Sequence, residues 1–166
     1  MSAPDLHRAL VHLFRELTFG PAERGGAFML NSGDPGLLRS LDALGAAEAS
    51  ASVHGGASIA AHATHLQYGL SLMNRWAREG GNPFADAHWD AAWRVREVTE
   101  DEWAAIRAAL GEEVARWEQA LATPRTLQHL VELKGLIASV AHTAYHLGAI
   151  RQIAARARGP KDGTFH

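Results

Sequence analysis

Apolar residues recur along this chain in steps of three and four, and no stretch keeps the strict alternation of a half-buried strand. Leu6, Leu10, Leu13, Phe14 and Leu17 predict a first helix over about residues 4–18. A Gly/Pro-rich stretch follows, then a short helix in "GLLRSLDAL" and an Ala/Ser/Gly loop. Ser58 is placed to cap a second long helix reaching about Arg78, which "EGGNPF" breaks. Thr99 followed by Glu102 is a capping box for a third, ending near Ala122. Thr123-Pro124 carries the signature of a fourth helix start, and "RGP" at 158–160 its stop. Four long helical segments with connections of mixed length predict an all-α four-helix bundle, with a short extra helix between helices one and two. No internal repeat or composition break divides the chain, so residues 1–166 are expected to form one domain.

The composition narrows the function classes. A formal net charge of -2, with arginines spread along the chain, offers no basic face for nucleic acid. With no cysteine, thiolate metal sites and disulfides are excluded, and any metal must be held by His, Asp or Glu. No apolar run approaches the length of a membrane span, and the polar residues in "MSAPDLHRALVHLFREL" argue against a secretory leader. A cytoplasmic protein acting on a small molecule is the expectation.

The candidate chemistry lies in histidine. The chain holds ten, so one pair at spacing four (His142/His146) and one at spacing three (His62/His65) are close to chance. Thr143 stands where an HExxH protease needs its Glu. Position says more than spacing. Gly135, Ser139, His142, His146, Ala149 and Ile153 form one three-four stripe on the last helix, away from Lys134, Tyr145, Gln152 and Arg156. Ser58, His62, His65, Gly69, Leu72 and Trp76 form another on the second long helix. Residues four apart lie about 40° apart around a helix and one turn apart along it, a geometry that can chelate one ion. One imidazole from the facing stripe completes three neutral ligands and leaves an open position. The competing expectation is a set of hydrogen-bonded core histidines. His7, His12, His54, His88, His129 and His166 are expected at the surface or in loops. Trp76, Trp103 and Trp117 are expected in the core, with Trp89 and Trp93 over the mouth of the bundle. Glu132 is the one carboxylate near a histidine stripe that offers itself as a general base.

"SIAAHATHLQYGLSLMNRW" and "HTAYHLGAIRQI" together resemble the DinB/YfiT-like superfamily of four-helix-bundle proteins, over nearly the whole chain in helix order. The resemblance implies a divalent ion, zinc or nickel, held by the last-helix pair His142 and His146 and one histidine of the second long helix. His65, seven residues after Ser58 and followed by Leu66, fits the family spacing; His62 is the fallback ligand or a pocket residue. Ala149 stands where relatives often carry Gln. The resemblance further implies a homodimer and an enzyme that activates a low-molecular-weight thiol for S-transfer. A hydrolase using metal-bound water, or a non-catalytic metal- or ligand-binding stress-response protein, are the alternatives.

Overall fold

The computed structural model describes residues 3–23 and 26–160, which form seven α-helices, a 3-10 turn and no strand. Four helices are long: α1 (Ala3–Phe19), α4 (Ile59–Glu79), α6 (Glu100–Ala122) and α7 (Leu130–Ile153). Three are short: α2 (Gly36–Asp42), α3 (Ala46–Ala49) and α5 (Trp89–Ala92). Among the described residues no helix is long and apolar enough to cross a membrane.

Two of the predicted caps form as written. Ser58 accepts a hydrogen bond from the Ala61 N–H at 3.1 Å, and Thr99 exchanges hydrogen bonds with Glu102. The third does not. Thr123 is extended (φ -86, ψ 108) and closes α6, its hydroxyl donating to the Gln119 carbonyl at 2.9 Å. A residue before proline is driven out of the helical region, so the same dipeptide that opens a helix can end one. The segment after it is held by tertiary partners: the Arg125 guanidinium lies 4.7 Å over the Trp76 ring. Helix α7 starts only at Leu130, where the Glu132 carboxylate accepts from the Gln128 and His129 N–H groups. Its end is also earlier than "RGP". The backbone leaves the helix at Ala154 so that Ala154 and Ala157 pack on the core.

The long helices pack in the cyclic order α1, α6, α4, α7, each against its two neighbours. Phe14, Leu37, Ile59, Leu66, Trp103, Leu110, Trp117 and Leu147 are its best-buried members. Trp76, Trp103 and Trp117 are core residues, as expected. Both deepest indoles find acceptors: Trp103 donates to the Leu44 carbonyl at 2.8 Å and Trp117 to the Ser139 hydroxyl at 2.9 Å. Truncating either to alanine costs about 3–5 kcal/mol. Where α1 hands over to α2, Gly20 and Gly36 have positive φ (90° and 71°) and touch backbone to backbone, leaving no room for a Cβ on either.

Helix α7 sits slightly rotated from its predicted stripe. Leu136, Val140, Thr143, Leu147 and Ile150 face the core, with Ser139 and His146 beside them. Gly135, His142, Ala149 and Ile153 are only partly buried and form the flank of that face. The pair His142/His146 therefore straddles the boundary between core and cleft.

Candidate metal centre

Helices α4 and α7 pack side by side and bring four histidines together, two from the first two turns of α4 and two from the second half of α7. His62 and His65 are each 8% exposed and His146 is fully buried; His142 is half-buried at the edge of a cleft. His65, His142 and His146 each offer a ring nitrogen within 4.8 Å of the other two. The His142 and His146 Nε2 atoms are 2.8 Å apart. The other nitrogen of His146, Nδ1, lies 2.9 Å from Nδ1 of His62. His62 and His142 thus engage opposite nitrogens of the His146 ring, and the His65 ring lies 5.1 Å from it between centres. The Nδ1 of His65 is buried and has no hydrogen-bond partner among the described residues. A buried ring nitrogen without a partner is costly unless something absent from the protein chain satisfies it.

The electrostatics keep these rings neutral. Burial, then repulsion from His142 and His62, pushes the His65 pKa down to about 4. His146 is pushed to about 2, first by burial and then by His142, His62 and His65. Burial also lowers His62 and His142. Neutral imidazoles carry the lone pairs that a borderline transition ion takes, and no carboxylate among the described residues joins this group. The donor set and the unpartnered nitrogen fit a divalent transition ion.

Two tryptophans roof the cluster, as expected. Trp93 stacks on His65 at 4.1 Å between ring centres and meets His62 edge-on at 5.4 Å. Trp89, on α5, stands 5.3 Å from His65 and is braced by Tyr68 and Phe84. The Tyr68 hydroxyl accepts from the His88 N–H at 2.9 Å and pins α5 in place. Clefts open on both sides of this roof. One, of about 360 Å³, runs between α4 and α7 past Gly69 and Trp89 to His142. The other, of about 460 Å³, reaches His62, Trp93 and Tyr145 from the opposite side.

Two expectations are corrected. His7 is not a surface residue: it is 2% exposed, with Nδ1 2.9 Å from the Leu121 carbonyl and Nε2 accepting from the Arg125 N–H at 3.5 Å. Its step to Leu10, Phe14 and Leu17 on the apolar face of α1 was the signal that could have found it. Glu132 is not a base for the site. Its carboxylate caps α7, ten residues and about 15 Å of helix from His142. His54, His88 and His129 are exposed and His12 is partly buried on α1; His166 lies outside the described residues.

No family model, no curated protein and no solved structure matches this chain. The chemistry of the site is carried by its own geometry.

Proposed function

We propose that this chain is a DinB-like four-helix bundle in which His65, His142 and His146 hold a divalent transition ion, zinc or nickel, at the centre of a thiol S-transferase. The observation that carries this is that His65, His142 and His146 each bring a ring nitrogen within 4.8 Å of the other two, with the buried Nδ1 of His65 unpartnered among the described residues. When bound, such an ion supplies Lewis acidity and an open position that favours the thiolate form of an incoming thiol.

The chain's own residues do the rest. His62, through Nδ1, fixes the orientation of the His146 ring, a role whose loss typically weakens a metal site tenfold to a hundredfold. Trp89 and Trp93 cover His65 and keep bulk water off the cluster. The chain holds no cysteine, so the nucleophilic thiol comes from a low-molecular-weight cosubstrate. A hydrolase would need a general base within hydrogen-bond reach of its water, and the one carboxylate offered by the sequence, Glu132, is spent on the α7 cap. This favours thiol transfer over hydrolysis.

The test is elemental analysis of protein made without a histidine tag, followed by assay of the loaded protein with glutathione, mycothiol or bacillithiol and a model electrophile. One equivalent of zinc or nickel per chain and thiol-dependent turnover are expected. Less than a tenth of an equivalent after reconstitution contradicts the metal site, and a loaded protein inert with all three thiols contradicts the transferase.

A further inference from the structure

The cleft that ends at His142 continues away from the histidines. Its floor runs on between α4 and α7 as a second depression, sharing Met73, Phe84, Val131 and Gly135 with the first and adding Trp76 and Pro83. The result is one elongated, mainly apolar groove with His142 at its inner end and Glu132 and His129 along its outer part. Two of its walls are glycines inside long helices, Gly69 midway along α4 and Gly135 in the second turn of α7. Neither has a positive φ. A Cβ on Gly69 would lie 3.5 Å from the His142 ring, and one on Gly135 would lie 3.4 Å from the tip of the Met73 side chain. Both are contacts that alanine could make, and alanine is the better helix former. What glycine preserves at these two positions is the width of the groove. Lys134 lines the same inner cleft as His142. It is the only lysine among the described residues, and no carboxylate there forms an ion pair with it.

We propose that this groove binds a small anionic amphiphile, its alkyl or aryl chain lying along Met73, Trp76, Phe84 and Val131 and its anionic group at Lys134. The size of the cleft falls within the range of small-molecule sites, and its apolar and aromatic lining, with the cation Lys134 in the inner cleft and the Glu132 carboxylate and His129 in the outer depression, suits such a ligand. Lys134 lies eight residues, about 12 Å of helix, from His142, so the head sits part-way along the groove, with the tail outward toward Pro83. That this molecule is the acceptor substrate rests on the S-transferase reading above; that it binds rests on the groove alone.

The probes are decanoate, 1-decanol and decyltrimethylammonium, titrated into the metal-free full chain by calorimetry and by the fluorescence of the groove tryptophans. Decanoate is expected to saturate at one per chain and to bind about tenfold more tightly than the cation. Lys134→Gln should weaken decanoate about threefold to tenfold and leave decanol unchanged. Gly135→Leu should fill the groove and weaken both decanoate and decanol at least tenfold, with helicity retained. Val131→Glu, at a side chain already 70% exposed, tests the groove without disturbing packing and should weaken decanoate more than decanol. Equal affinity for the anion and the cation, or decanoate binding that survives both Gly135→Leu and Val131→Glu, overturns the proposal. Zinc uptake measured on the same samples separates the two claims. Decanoate binding without zinc uptake sinks the metal site and leaves the groove; zinc uptake without decanoate binding does the reverse.

Discussion

His7 and His65 are both buried histidines on long helices, and the contrast between their surroundings separates packing from chemistry. His7 ties α1 to the end of α6, with one nitrogen at the Leu121 carbonyl and the other at the Arg125 N–H. Each of its polar atoms has a partner from the backbone, so the ring is a structural bracket. His65 has Trp93 stacked on its face and two further imidazoles about 5 Å away, yet its buried Nδ1 has no hydrogen-bond partner among the described residues. Burial is nearly the same in the two places. The difference is whether the fold completes the hydrogen bonds itself, and only the incomplete site calls for a ligand.

Breaking that contrast at His146 has the largest expected effect. His146→Ala removes a central ligand and should lower zinc affinity by at least about a thousandfold, measured by competition with a chromophoric chelator. His7→Ala should leave that affinity unchanged.

Acid probes the same difference without mutation. The folded-state pKa values of His65 (about 4) and His146 (about 2) lie below their ordinary 6.5. Below pH 6.5 the unfolded chain therefore binds protons that the native cluster refuses, and stability falls as pH drops. The metal-free protein should be fully stable with respect to these groups above about pH 6.5. It should lose about 1.4 kcal/mol per pH unit for each of the two below that, the His65 share ending near pH 4 and the His146 share continuing below. Urea midpoints across pH 4–8 measure it, and a stability that rises on acidification contradicts the neutral cluster.

The structural histidine comes next in size. His7→Ala leaves the Leu121 carbonyl without its partner and should cost about 1–3 kcal/mol in denaturant unfolding, with metal uptake intact. A loss of metal with His7→Ala would mean the two regions are not independent.

The smallest effect sharpens the ligand assignment within the cluster. His62→Ala removes only the group that steadies the His146 ring and should weaken zinc about tenfold to a hundredfold. If His62→Ala abolishes binding and His65→Ala does not, the α4 ligand is His62.

The parts of the fold that could be read from sequence are those set by local chemistry. Ser58 and Thr99 lie just before amphipathic runs and can only start helices there. Thr123-Pro124 could end α6 or begin α7, and the choice was made by distant partners, Trp76 and His7, that the local sequence does not name. The short α3 and α5 gave no periodic signal because each is a single turn. In the site, His142 and His146 were legible from their place on a small-residue stripe, and the Trp89/Trp93 roof from its position between helices. His62 and His65 differ by less than one turn and both face inward, so only the hydrogen bond between His62 and His146 and the unpartnered Nδ1 of His65 tell them apart. Glu132 lies close to the histidine stripe as written and far from it along the helix axis.

X-ray absorption at the zinc or nickel edge of the loaded, tag-free chain tests the central claim most directly. Three imidazole nitrogens per ion, at about 2.0–2.1 Å for zinc, reduced to two in His65→Ala and unchanged in His7→Ala, is the predicted result. An ion with one imidazole or none, or a spectrum that His65→Ala leaves unaltered, would contradict it.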